Sequence, residues 1–205
     1  MENIFAQPGK PMPHGATIVN DGVNFSVFTR NGTSVILDIF QNPEDENPCF
    51  SYTFDPKINR TGDIWHVFLK GLKAGALYLY RVDGPFNPEK GHRFNKNTYL
   101  LDPYAKSFTD CSVFANLPPD YVTPVDKIDI LTGKTHSAKG FPKCVVIDDD
   151  EFDWQGDRPI NYPLRQSVLY ETHLKGFTAD PSSGVKNPGT YKGLIEKIPY
   201  LKELG

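Results

Sequence analysis

The chain has 205 residues, 39% hydrophobic and 13% aromatic, enough for one good core and part of a second; such a composition excludes a disordered or coiled-coil protein. A net charge of -3, with no long block of one sign, excludes electrostatic attraction to nucleic acid or to an anionic membrane. Cys49, Cys111 and Cys144 are odd in number, far apart and without CxxC spacing, which excludes a zinc site or a disulfide framework.

Reduced thiols in a cytoplasmic protein are therefore expected. The first residues lack the basic region and apolar run of a signal peptide, and no later run reaches membrane-spanning length. Asn31-Gly32-Thr33 and Asn59-Arg60-Thr61 fit the glycosylation pattern, and without export they are expected to be chance matches.

In chain order, the first thirteen residues are polar and carry Pro8, Pro11 and Pro13, which predicts an extended lead-in. Asp21-Gly22 is a turn signal, and from Val23 to Phe28 apolar residues alternate with small polar ones as in a half-buried strand. After a second turn at Asn31-Gly32, strands are predicted over 34–40, 49–54, 64–69 and 76–83. Short strands at nearly regular intervals, with no helical period between them, predict an all-β, immunoglobulin-like β-sandwich of about 100 residues over 11–110. Residues 85–110 are expected to cover one side of it.

Residues 111–166 hold many prolines and glycines and little periodicity, apart from a brief apolar run at 144–147, and read as an irregular connector. The acidic run at 148–151 has neither the ligand spacing nor the glycine of a calcium loop, so a solvated turn is expected. No metal and no cofactor are expected. From Ser167 to Thr178 an apolar run predicts a buried strand, and 190–204 has helical spacing with Leu194, Ile198 and Leu201 on one stripe. Thr190 is a natural N-cap, and Pro199 must kink or break the helix. Strand, loop and helix make one βα unit of a parallel sheet, which cannot stand alone, so 167–205 is expected either to be poorly ordered or to self-associate with another copy.

Several blocks now fall into one order: Asp21 to Phe25, Trp65 to Phe68, Tyr80 to Phe86, Gly91 to Phe94, Leu101 to Lys106, Phe152 to Pro159 and Tyr170 to Thr178. Together they resemble the isoamylase and glycogen debranching enzymes of the α-amylase superfamily, from about residue 11 to the end. The resemblance implies a carbohydrate-binding-type module over 11–110 and, over 167–205, the first strand and helix of an incomplete (β/α)8 barrel. It implies hydrolysis of α-1,6 branch points in α-glucans such as glycogen and limit dextrin by the retaining mechanism, which needs two carboxylates about 5 Å apart. In that family these two, and a further acid that grips the distorted sugar, stand at the ends of the fourth, fifth and seventh barrel strands, so no catalytic residue can be assigned in this chain. Glu171 and His173 share a face of the expected first strand and are read as supporting neighbouring strands.

Sugar rings are held by flat aromatic faces, and Trp65, Tyr78, Tyr80 and Phe86 are the candidates for binding substrate, although a tryptophan placed on a strand, as Trp65 is, is more often a core residue. Glycogen-binding relatives of the module use two tryptophans and a lysine. Here Phe86 stands at the second tryptophan position, Leu79 at the lysine position, and no tryptophan lies near 35–40. Docking of the module onto the barrel through His92, Arg93, Asp102 and Tyr104 is therefore the expected role, with glucan engaged by the longer enzyme. Two other readings fit the same residues: a stand-alone glucan-binding module, and an inactive truncated copy.

Overall fold

The computed structural model describes residues 4–109 and 137–205, and these divide into two compact units, Met1–Asp153 and Trp154–Gly205. Cys111 and most of the expected connector, 111–136, lie outside the described residues.

The first unit is a β-sandwich built from antiparallel pairings throughout. One sheet has the order β1 (Phe5–Pro8), β7 (Ile64–Lys70), β3 (Gly22–Phe28), β2 (Gly15–Val19), with β6 (Arg60–Thr61) also on β7. The other has the order β11 (Ser107–Phe108), β12 (Cys144–Val145), β8 (Leu77–Asp83), β4 (Ser34–Phe40), β5 (Phe50–Thr53). A small hairpin pairs β9 (Phe86–Asn87) with β10 (His92–Arg93). Period-two alternation sends Val23, Phe25, Trp65, Val67 and Leu69 from the first sheet, and Val35, Leu37, Ile39, Tyr78 and Tyr80 from the second, into the core at 0–1% exposure.

The expectation of half-buried strands fails for β3, whose residues 22–27 are all buried. The proline-rich lead-in is the cause. It lies across the outer face of the first sheet, where Asn24 accepts from the Lys10 N–H at 2.7 Å and donates to the Lys10 carbonyl at 3.0 Å, and Ser26 donates to the Pro11 carbonyl at 2.7 Å. Prolines cannot donate to a ladder, so polar side chains of the sheet make the bonds instead. Gly9 permits the approach: a Cβ there would sit 2.6 Å from the Val67 carbonyl carbon.

The second sheet is covered in a different way. Tyr99 is buried against Phe40, with ring centroids 5.8 Å apart, and Leu100 bridges back to Tyr80. The segment 85–109 does cover one side of the sandwich. Residues 144–145, within the expected connector, are a strand of the second sheet paired to β8.

The second unit corrects another expectation. Residues 167–173 form no strand, and Val168 and Leu169 are 95% and 82% exposed. An apolar run becomes a strand only where neighbours take its backbone hydrogen bonds, and none of the described strands pairs with it. Helix α1 (Leu174–Ala179) begins inside the run, capped by His173, whose Nδ1 accepts from the Gly176 N–H at 3.1 Å. The single helix expected over 190–204 is two: α2 (Tyr191–Glu196), capped by Thr190 as predicted, and α3 (Ile198–Leu204). The break falls at Lys197, so Pro199 sits in the first turn of α3, where its missing N–H costs nothing.

The loop between α1 and α2 is tied down by two side chains. Glu196 accepts from the N–H groups of Lys186 and Asn187 at 3.0 and 3.3 Å, and Thr178 Oγ1 accepts from the Gly189 N–H at 2.8 Å. Gly193 lets the loop close, because a Cβ there would fall 2.3 Å from the Asn187 carbonyl oxygen.

Candidate functional site

Three of the four aromatic candidates prove to be core residues. Trp65, Tyr78 and Tyr80 are at most 1% exposed, so their faces are spent on packing: Tyr78 edge-on to Phe25 at 5.0 Å, Trp65 against Phe54 and beneath the Arg60 guanidinium at 4.9 Å. A ring already covered on both faces offers nothing to a sugar, and these positions are corrected from binding to packing. Period two agrees with this, since Trp65 is in phase with Val67 and Leu69, and Tyr78 and Tyr80 with Val82, on the core side of their strands. Phe86 is half-buried, on the β9–β10 hairpin opposite Arg93. Leu79, at the expected lysine position, is wholly buried on the outer side of the second sheet.

That outer side carries a polar cluster that sequence reasoning missed. Asp38, 0% exposed, takes the Arg81 guanidinium at both oxygens and the Ser51 hydroxyl, and Arg81 stacks over the Tyr99 ring at 5.6 Å. Its hydrogen bonds to the Asp38 carboxylate hold Arg81 above its ordinary pKa, against the opposing effect of burial. Farther along, the buried Lys143 spends its three N–H donors on the carbonyls of Pro43, Ala138 and Phe141 and lies over the Phe40 ring. Burial lowers its pKa, and the carboxylates of Glu44 and Asp45 work against that shift. With these groups and Tyr99 in place, the outer side of the second sheet is filled by the chain itself.

The four expected docking residues do not act as one surface. Asp102 is 1% exposed and belongs to an internal knot: it accepts from the Tyr78 hydroxyl and the Tyr104 N–H, both at 2.8 Å, while its own N–H reaches the Cys144 sulfur at 3.3 Å. Burial raises the Asp102 carboxyl above the usual carboxylate range and pushes the Cys144 thiol up to about 12. Asp102 is thus corrected from a docking group to an internal pin. Tyr104 is exposed and packs against the His14 ring at 4.8 Å. His92 and Arg93 lie on the hairpin, half-buried and exposed respectively.

Beside that hairpin is a cavity of about 240 Å³. Arg93, Asn95 and Thr98 supply its polar lining, and Val82, Phe94 and Leu100 its apolar walls. Asn95 Oδ1 is used locally, accepting from the Asn97 N–H at 2.9 Å, and Thr98 donates its N–H to the Asn95 carbonyl at 3.2 Å. Asn95 Nδ2 and Thr98 Oγ1 are buried without a hydrogen-bond partner. The one sequence signal for this cavity was a run of polar residues, 95–98, wedged between Phe94 and Tyr99.

The acidic run at 148–151 is a short 3-10 turn in which Asp148 accepts from the Asp150 N–H at 3.0 Å and Asp149 pairs with Lys106. Among the described residues, no three His, Cys, Asp or Glu side chains converge as metal ligands would. Glu171 and His173 are both exposed, the latter serving as a helix cap.

Two antiparallel sheets packed over one apolar core, with the connections folded back onto both outer faces, define the class: an accessory β-sandwich module. Residues 13–105 match the family model of carbohydrate-binding module 48, the isoamylase N-terminal domain. Along its whole length the chain is similar to the N-terminal part of isoamylases and glycogen debranching enzymes. It is 39% identical over 213 residues to the chloroplastic isoamylase 1 of Arabidopsis thaliana, covering 100% of this chain and 24% of that protein. It is 38% identical to the glycogen debranching enzyme of Yersinia enterocolitica, covering 96% of this chain and 28% of that one. The chain spans about a quarter of the length of the curated relatives it matches. Among solved structures, the multi-modular glycogen-degrading pneumococcal virulence factor SpuA shares the fold, at a TM-score of 0.58 and 21% identity over 97% of this chain and 19% of that one.

The expectation of a cytoplasmic protein is overturned, because the matched isoamylases of Arabidopsis, rice and maize are chloroplastic.

Proposed function

We propose that this chain is the module and the opening of the catalytic domain in an enzyme that hydrolyses α-1,6 branch points of an α-glucan such as glycogen. The observation that carries the reading is the extent of the match: 39% identity runs through both units and over 100% of the chain, including the stretch from Trp154 to the end. Residues 167–205 then supply the first strand and helix of a (β/α)8 barrel. Two features favour this assignment: extended backbone at Ser167 (ψ 143) and His173 (ψ 118), and the run of exposed apolar side chains between them. The strand forms when barrel neighbours supply its hydrogen bonds.

The module serves chiefly to pack against that barrel. Its outer faces are closed by the lead-in and by Tyr99, its tryptophan is in the core, and the position that a lysine occupies in glycogen-binding relatives is a buried leucine. The reacting carboxylates of a retaining hydrolase correspond to no residue of this chain.

The test is to incubate glycogen and its limit dextrin with this chain and, separately, with the natural product of its gene, then follow new reducing ends and released linear chains. The gene product is expected to release linear chains and this chain none. A gene product that leaves every branch point intact would overturn the reading.

A further inference from the structure

β1 lies at one edge of the first sheet and β2 at the other, so residues 9–14, which join them, must cross the outer face over β7 and β3. The crossing is held by side chains. Asn24 takes both backbone polar groups of Lys10, Ser26 donates to the Pro11 carbonyl, and His14 Nδ1 stands 3.2 Å from Ser26 Oγ. Because the Ser26 proton goes to Pro11, His14 is the donor in the last of these bonds, and a second proton on its ring leaves that bond in place. None of residues 9–14 is itself buried, so lifting this strap takes nothing out of the core.

His66 lies where the crossing begins. Pro8 is still paired with Val67, Gly9 packs against the Val67 backbone, and the Gly9 backbone acts on the His66 ring. His66 is 5% exposed; its Nε2 bonds to Thr61 Oγ1 at 2.9 Å, and its Nδ1 is buried without a hydrogen-bond partner. Among the described residues, the buried side-chain atoms left unpartnered belong to amides, hydroxyls, an indole and this imidazole. Of these groups only an imidazole changes its charge between about pH 5 and about pH 8.

A neutral ring carries one N–H, whereas the charged ring carries two and calls for a carboxylate or for water. The neighbouring elements bring no free carboxylate to it. β3 presents Asn24 and Ser26, β6 presents Thr61, and the lead-in brings Lys10 and His14. Asp63, in the turn between β6 and β7, is held by Arg30 and Arg60, and Arg60 itself lies over Trp65. At the far end of β7, Lys70 is paired with Asp21.

We propose that the lead-in is a proton-sensitive strap: residues 9–14 stay closed over β7 and β3 while His66 is neutral, and lift when its ring takes a second proton and needs water. Burial holds the His66 pKa below its ordinary 6.5, against the smaller opposing effects of the Gly9 backbone and of its own. The closed strap therefore binds fewer protons than the open one. Its advantage is whole above the ordinary value and is lost as pH falls below it, toward the closed-state value. The strap is independent of the glucan reading.

The experiment follows the full 205-residue chain by NMR, reading the His66 ring together with hydrogen exchange at the Lys10 N–H and the Asn24 side-chain amide, corrected for the intrinsic effect of pH. From about pH 7.5 to about pH 5, protection at Lys10 is expected to fall roughly tenfold in step with the His66 ring, while the amides of β4 and β8 keep theirs. His66→Gln keeps a polar partner for Thr61 and takes no charge; it is expected to hold the strap shut throughout. His14→Gln keeps a donor for Ser26 and is expected to retain the pH response. Four outcomes would overturn the strap: protection at Lys10 that ignores pH, an unchanged response in His66→Gln, a response lost in His14→Gln, or loosening of β4 and β8 in step with the lead-in. Should His66→Gln leave the strap open at every pH, the unmodified chain decides. A His66 ring that titrates at its ordinary value with Lys10 still protected overturns the proposal, and one that titrates lower, in step with Lys10, upholds it.

Discussion

The two units contain similar apolar residues and use them in opposite ways. In the first unit, Phe25, Trp65 and Leu79 are sealed at 0% exposure; in the second, Ile160, Val168 and Leu169 stand more than four-fifths exposed. Among the described residues, every buried hydrophobic side chain lies in the first unit. The second is held by caps and loop bonds: Thr190 and His173 on helix ends, Glu196 on the loop, Thr178 on Gly189. Apolar composition alone therefore does not make a core. Seven-residue strands that find partners on both sides do, and a seven-residue run without them stays open.

The sharpest way to probe this contrast is truncation of one large side chain in each unit. Trp65→Ala should cost about 3–5 kcal/mol in urea unfolding of the first unit, through lost burial and the cavity left behind. Ile195→Ala, at a position 61% exposed, should change stability by less than about 0.5 kcal/mol. Equal losses at the two positions would erase the distinction. Next in size is Asp38→Ala, which strands the largely buried Arg81 charge and should cost about 3 kcal/mol by the same measurement. A cost no greater than that of a surface substitution would show that Arg81 simply swings into water.

A smaller effect follows from Asp102. Its folded pKa is raised above the ordinary 3.8, so the folded state holds the proton more tightly than the unfolded chain does. The stability this contributes is present below the unfolded pKa and is lost as pH rises through the folded value. Asp102→Asn removes that dependence, so denaturation compared from about pH 4 to about pH 7 should favour the Asn variant increasingly as pH rises. A constant difference across the range would mean that Asp102 titrates normally. Smallest in global stability is Gly193→Ala in the second unit. Its Cβ would force the Asn187 carbonyl away, and hydrogen exchange at Lys186, Asn187 and Gly189 should quicken while the sandwich amides are unchanged.

The sandwich could be read from sequence because its strands obey the simplest rule available: Val23, Phe25 and Val27 alternate, as do Val35, Leu37 and Ile39, and turn residues mark the ends. What alternation could not show is what lies over the second face. Asn24 and Ser26 read as solvent-facing, yet the lead-in covers them; Asp38 and Arg81 are far apart in sequence and meet only because β4 and β8 are register neighbours. Trp65, Tyr78 and Tyr80, in contrast, share the phase of the core-facing residues, and alternation itself moves them from a proposed sugar surface into the core. Asn95 and Thr98 left only a polar run between Phe94 and Tyr99, since an unmet donor is a property of three-dimensional surroundings. At 167–173 the failure was of another kind: the run has the composition of a buried strand, and composition does not supply the partner strands.

Lys143 gives one more consequence, in chemical labelling. Its ammonium is 0% exposed with every proton committed to a carbonyl, while Lys70, Lys96, Lys106 and Lys139 have half or so of their side chains in solvent. An amine-directed acylating reagent should therefore modify those lysines in the folded chain and leave Lys143 untouched. Modification at that one position becomes a clock for opening of the sandwich, because the nitrogen can react only after the segments carrying Pro43 and Ala138 have let go of it.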